Sequence, residues 1–116
     1  MGVGYFMNKI YANYVPVFKA ISDETRLKII DMLSCGGMCA CDILEEFSIT
    51  QPTLSYHMKI LSDSGLVNAV RDGSWVRYTL NKENADEAMS FLKDITRDKE
   101  NCICKKSKCN DCTNLI

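Results

Sequence analysis

Between Thr50 and Leu80 the apolar period of the chain switches from that of a helix to that of a strand pair, and this switch leaves few folds open. Leu54, Met58 and Leu61 fall at i, i+4 and i+7, one stripe of a helix that Thr50 can cap. Pro52 is tolerated in its first turn, where amides have no intrahelical acceptor. Past Gly65, the runs Leu66 to Arg71 and Ser74 to Leu80 flank Asp72-Gly73, a strong signal for a hairpin whose turn needs positive φ. Upstream, Cys39 to Phe47 reads as a short helix with Ile43, Leu44 and Phe47 facing inward, joined to the next by Ser48-Ile49-Thr50. Helix, turn, helix and hairpin in that order predict a mainly α fold with a β-hairpin wing, a winged helix-turn-helix.

The remaining segments fit one small domain. From Tyr5 to Ile21, Phe6, Ile10, Tyr14, Val15 and Phe18 recur at helical steps, with a kink or restart at Pro16. Ser22-Asp23-Glu24 forms a cap and acidic first turn for a second helix, whose apolar stripe is Leu27, Ile29, Ile30 and Leu33 and whose end is Gly36-Gly37. Asn81 caps a last helix with the stripe Ala85, Ala88, Met89, Leu92 and Ile95. Too little core remains for that stripe to cover, so it is expected to pair with the first helix across a homodimer. The predicted division is a DNA-binding and dimerisation domain over 1–100 and a Cys/Lys-rich, mobile tail over 101–116.

Composition narrows the function. With 47% apolar and 25% charged residues, no apolar run near the roughly 18 residues of a membrane span, and no signal-peptide layout over Met1 to Ile10, the expected location is the cytoplasm, with no membrane partner. Seven cysteines, an odd number, argue against a closed disulfide framework and for reduced thiols engaged in metal or redox chemistry. A thiol oxidoreductase is disfavoured, because the chain has neither a βαβ order nor a general base to spare. A protein that only sequesters metal on its tail would have no use for the winged helix. Net charge is −1, so DNA binding has to come from local basic residues rather than from bulk electrostatics.

Those local groups are present. The stripe on the Thr50 helix leaves Gln51, Thr53, Ser55 and Tyr56 outward as readers of base edges, with Lys59 in reach of a phosphate. Arg71 and Arg77 flank the hairpin tip, suited to gripping the backbone or entering a minor groove. The bland alternative is a solvated polar face. His57, the single histidine, is expected to be partly packed or phosphate-adjacent rather than a metal ligand or a base. Just before this element stands Cys39-Ala40-Cys41-Asp42, and a soft thiolate pair beside a DNA-reading helix suggests a metal-operated switch.

From Ile21 to Leu80, with ISDETRLKIIDMLSCGGMCACDILEEFSITQPTLSYHMKILSDSGLV and DGSWVRYTL, the chain resembles the ArsR/SmtB family of metal-responsive winged-helix repressors. It is most similar to the arsenic-responsive members, which carry Cys-x-Cys-Asp at the start of the third helix. The resemblance implies a homodimeric repressor of an arsenic-resistance operon that leaves a roughly palindromic double-stranded operator when As(III) or Sb(III) binds.

Such ions favour three thiolates in a pyramid, and Cys39 and Cys41 offer two. A helix N-terminus is expected to lower their pKa. At about 100° per residue, positions i and i+2 of a helix point roughly 200° apart, so binding is expected to unwind the first turn of the third helix. In arsenic-responsive relatives a further cysteine follows three residues after the pair, where this chain has Leu44. Cys35, a tail cysteine or a water are the candidates for the third position. Cys102, Cys104, Cys109 and Cys112 in the tail form a candidate Zn or Cd site, against incidental affinity in a disordered segment. Two rivals keep the fold: a redox sensor in which thiols oxidise, and a Cd, Zn or Pb sensor. Relatives that sense zinc use histidines and carboxylates on the last helix, and those that sense cadmium and lead join cysteines near the N-terminus to the Cys-x-Cys pair; here Asn84 to Thr96 holds no histidine and no cysteine precedes Cys35, so both kinds of metal sensing lose ground.

Overall fold

The structure, a computed structural model, describes residues 10–98; the tail cysteines and the first nine residues lie outside the described residues. A 3₁₀ turn, Tyr11–Asn13, leads into α1 (Val15–Ala20), with Pro16 in the first turn as the restart reading expects. Then follow α2 (Glu24–Leu33), β1 (Met38–Cys39), α3 (Ala40–Leu44), α4 (Gln51–Asp63), β2 (Val67–Asp72), β3 (Trp75–Leu80) and α5 (Lys82–Thr96). The winged helix-turn-helix is present in the expected order.

Caps read from the sequence do their work. Asp23 accepts from the Arg26 amide at 3.1 Å, Thr50 from Thr53 at 3.3 Å, and Asn81 from Asn84 at 3.0 Å. Each satisfies one of the amides that a helix start leaves without an acceptor.

The hairpin turn is shifted by one residue. Asp72 pairs with Trp75, so the two-residue loop is Gly73-Ser74, with Gly73 at φ +65° in the first central position. That is where the primed turns of tight hairpins call for glycine.

One strand was not foreseen. β1 adds to the hairpin as a third antiparallel strand in the order β1-β3-β2, pairing Met38 with Tyr78 and Cys39 with Arg77. Two residues are too few for a period, so pattern reading had no purchase on it. Gly37 makes the approach possible: a Cβ there would lie 2.9 Å from Thr79 Cγ2 and 3.0 Å from the Arg77 guanidinium, which therefore runs across this glycine.

The core is built by Val17 and Ala20 of α1, Ile29 and Leu33 of α2, Ile43 of α3, Leu54, Met58 and Leu61 of α4, then Leu66, Val67 and Ala88. No polar or charged residue is buried among the described residues. Three expectations are corrected. Leu27 lies on the outer face of α2 with 51% of its surface exposed, because the core is reached from the Ile29–Leu33 side alone. The helix of the thiol pair runs from Ala40 to Leu44 rather than Cys39 to Phe47, although Leu44 and Phe47 still pack on the core. The last helix is corrected only in part: Ala88 and Phe91, the latter absent from the predicted stripe, are buried, the Phe91 ring stacked on Tyr14 at 3.9 Å with Tyr11 and Phe18 around it, while Met89, Leu92 and Ile95 stay exposed as expected.

Candidate functional site

The outward face of α4 carries the residues expected to read DNA. Gln51, Thr53, Ser55, Tyr56 and Lys59 are exposed, while Leu54, Met58 and Leu61 on the opposite side hold the helix to the core. Lys59 pairs with Asp63 at 3.2 Å in an exposed i, i+4 arrangement, worth only about 0.3–0.5 kcal/mol, so a phosphate can draw the ammonium away.

His57 belongs to a different set of contacts. Its side chain is 13% exposed, and Nδ1 accepts from the Arg26 guanidinium at 2.9 Å, with the Asp23 carboxylate 4.0 Å off. A guanidinium only donates, so in this contact Nδ1 is the acceptor. Arg26 also donates from Nε to the Ala20 carbonyl at 2.7 Å. The pair ties the end of α1 and the start of α2 to the recognition helix. His57 is thus partly packed, as the sequence led one to expect.

Arg71 and Arg77 are both exposed on the hairpin, at different places. Arg71 pairs with Val76, one step from the Asp72–Trp75 pair that closes the turn. Arg77 sits in the central strand, between Val70 and Cys39. Residues directly opposite on antiparallel strands share a face, so Arg77 and Cys39 point the same way from the sheet.

At the β1–α3 junction the thiols meet. Cys39 is the N-cap of α3 in an extended conformation, φ −85° and ψ 160°. Its Sγ lies 2.8 Å from that of Cys41, and it donates to Asp42 Oδ2 at 3.1 Å. These three ligand atoms all fall within 4.8 Å of one another. The expectation that an i, i+2 pair diverges is therefore corrected: it holds for two helical residues, and Cys39 is a strand residue. The expected lowering of pKa is also reversed for Cys41. The hydrogen bond with Cys39, desolvation and the nearby Cys39 and Asp42 charges push the Cys41 thiol up, against a smaller opposite pull from the Asp42 backbone amide.

Asp42 joins this cluster although it is not among the ligands expected from the sequence; its signal is its place in Cys-x-Cys-Asp. Cys35 is exposed after α2 and stands outside the group of three.

Beside the thiols opens a groove of about 260 Å³. Cys41 and Leu44 of α3, Leu54 and Met58 of α4, and Trp75 and Tyr78 of the hairpin form much of its wall, with Gln51 and Ser55 on the α4 side. Burial pushes the Tyr78 phenol above its usual range, with Arg71 acting the other way.

A helix-turn-helix followed by a β-hairpin wing defines a winged-helix regulator, here with a surface cluster of Cys39, Cys41 and Asp42 where β1 meets α3. Residues 23–69 match the family described as "Bacterial regulatory protein, arsR family". The chain is 44% identical over 102 residues to the "Arsenical resistance operon repressor" of Staphylococcus aureus, covering 88% of this chain and 98% of that protein. It is 35% identical over 106 residues to a repressor of the same description from Bacillus subtilis (strain 168), covering 90% and 94%. Among solved structures it resembles an ArsR-like transcriptional regulator from Rhodococcus sp. RHA1, with a TM-score of 0.66, 28% identity, and coverage of 73% of this chain and 80% of that one.

The chain belongs to the arsR family of bacterial regulatory proteins, whose work is transcriptional regulation rather than catalysis. Among the described residues, no helix is long and apolar enough to cross a membrane.

Proposed function

We propose that this protein is a homodimeric cytoplasmic repressor of an arsenic-resistance operon, released from DNA when As(III) or Sb(III) is bound by Cys39 and Cys41. The observation that carries the proposal is the pair of thiols 2.8 Å apart at the junction where β1, bonded to the wing through Cys39, runs into α3, which carries Cys41. Two soft sulfurs already side by side suit a thiophilic ion better than a hard one. Arsenous acid then exchanges two hydroxyls for two sulfurs, the thiol protons leaving with them as two waters. The remaining hydroxyl would fill the third position on arsenic without a third cysteine, and Asp42, clustered with the two sulfurs, would be its hydrogen-bond acceptor.

The route to DNA runs through the sheet. Cys39 stands opposite Arg77 of β3, and Trp75 and Arg71 lie further along the same hairpin. A change in the β1–α3 junction reaches the wing through that pairing. A ligand shifts the balance between DNA-binding and released forms only by its different affinity for the two, and a thiol cluster sharing a strand pair with the wing supplies such a difference.

The test is fluorescence anisotropy of a labelled operator-like duplex with the reduced chain, titrated with arsenite, antimonite, zinc and cadmium. Stoichiometric release by arsenite supports the reading. Release by oxidant alone would make the thiols a redox sensor, and an absence of duplex binding would overturn the repressor. Arg77→Ala is expected to weaken binding at every arsenite concentration and to lower the salt slope by about 1. An unchanged slope would take Arg77 out of the phosphate contacts.

The dimer is argued from an apolar face. Tyr11, Val15, Met89, Leu92 and Ile95, from the N-terminal turn and the first and last helices, are between 37% and 63% exposed. Sedimentation equilibrium is expected to give twice the chain mass of 13.1 kDa. A monomer that still binds a palindromic duplex tightly would contradict this arrangement.

A further inference from the structure

We infer that the groove between α3, α4 and the hairpin is a subsite for the organic group of an aryl-substituted trivalent arsenical, R–As(III), whose arsenic is held by Cys39 and Cys41. The inference rests on the thiol pair being the arsenic site. It adds what occupies the space next to it.

An arylarsonous acid, R–As(OH)₂, has two exchangeable hydroxyls. Reaction with two thiols breaks both As–O bonds, forms two As–S bonds and releases two waters; arsenic stays trivalent and the As–C bond is untouched. Two sulfurs complete such a ligand, and two sulfurs are what the cluster holds. The third direction then carries carbon, which needs an apolar wall rather than a donor.

That wall begins at the same residue. Cys41 belongs both to the thiol pair and to the lining of the groove. Leu44 stands one helical turn after it, Leu54 and Met58 face it from α4, and Trp75 closes the hairpin side. A dry apolar cavity of about 150 Å³ is enough to hold benzene, so about 260 Å³ admits a phenyl ring with room for its attachment. Aromatic packing against Trp75 and sulfur contact with Met58 are the interactions such a ring would gain. Bound there, it touches the recognition helix and the wing together, so it wedges between the two elements that read DNA. Inorganic arsenite leaves the groove empty and acts on the junction alone.

The experiment uses the full chain, kept reduced with a phosphine because dithiols compete for arsenic. Phenylarsine oxide, methylarsonous acid and arsenite are titrated by calorimetry and by the emission of Trp75, the one tryptophan of the chain. Phenylarsine oxide is expected to bind more tightly than arsenite and to shift Trp75 emission at one equivalent, with methylarsonous acid causing a smaller shift. Trp75→Ala is expected to cost phenylarsine oxide about 10-fold in affinity and arsenite nothing. Leu54→Met, which conserves volume, checks that the fold and the arsenite affinity are kept when the wall is altered. Equal affinities for phenylarsine oxide and arsenite, with Trp75→Ala changing neither, would overturn the groove while leaving the thiol site standing. If Cys39→Ser binds all three ligands like wild type, the thiol site itself is wrong.

Discussion

Cys39→Ser and Cys41→Ser are each expected to keep operator binding and to lose release by arsenite. Serine keeps the size of cysteine but replaces a soft sulfur with a hard oxygen, and an As–O bond exchanges with water where an As–S bond persists. With one sulfur left, the cluster no longer holds the ion. In wild type, arsenite is expected to weaken operator affinity by a factor on the order of 5–150, the usual span of coupling between two sites; in either variant the ratio falls to 1. DNA binding survives because neither thiol is on α4. Cys39 makes no side-chain cap bond to α3, and serine is a preferred N-cap, so the exchange does not weaken the helix start. Anisotropy with and without arsenite reads both halves. If either variant is released normally, the cluster at β1–α3 is not the sensor.

The architecture was legible because its devices are local and periodic. Leu54, Met58 and Leu61 mark the inner face of α4, and all three are buried. Asp23, Thr50 and Asn81 cap the helices for which they were named. The site was legible in composition but not in geometry. Cys-x-Cys announces thiolate chemistry wherever it stands, yet whether two such sulfurs diverge or meet depends on the backbone conformation of the first. That conformation is set by Cys39 pairing with Arg77, residues 38 positions apart in the chain. A two-residue strand has no period and comes into being only when the hairpin is there to receive it. The same non-locality hid Phe91: its partners Tyr11, Tyr14 and Phe18 lie at the other end of the domain.

Arg77 illustrates how the two readings join. In the sequence it is a wing residue among basic candidates for phosphate contact. In the fold it is also the cross-strand partner of a thiol and the side chain that lies over Gly37. Arg77 pairs with the thiol strand on one side and with Val70 of β2 on the other, so under the proposed function it is where sensing and DNA binding would be coupled, a placement that linear spacing does not reveal.

A large loss of stability is expected from Ile43→Ala, and it separates folding from sensing. α3 spans five residues, too few to persist on helix propensity alone, and Ile43 is its one fully buried side chain. Truncation to alanine removes transfer free energy and leaves a cavity, about 2–5 kcal/mol by the usual range for such core positions. For a domain of this size each kcal/mol lowers Tm by about 4–8 °C, so thermal melting followed by circular dichroism reads the change easily. Leu61→Ala, equally enclosed but on α4, is expected to cost a similar amount. The two should differ in arsenite affinity. Ile43 anchors the turn that carries Cys41 and Asp42, so its loss lets the cluster spread and weakens binding at temperatures where the domain is still folded. Leu61 leaves α3 seated, and its variant binds arsenite like wild type below its own transition. Equal arsenite affinity in the two variants would mean that β1 alone positions the thiols, with the Cys39–Arg77 pairing sufficient to hold the site.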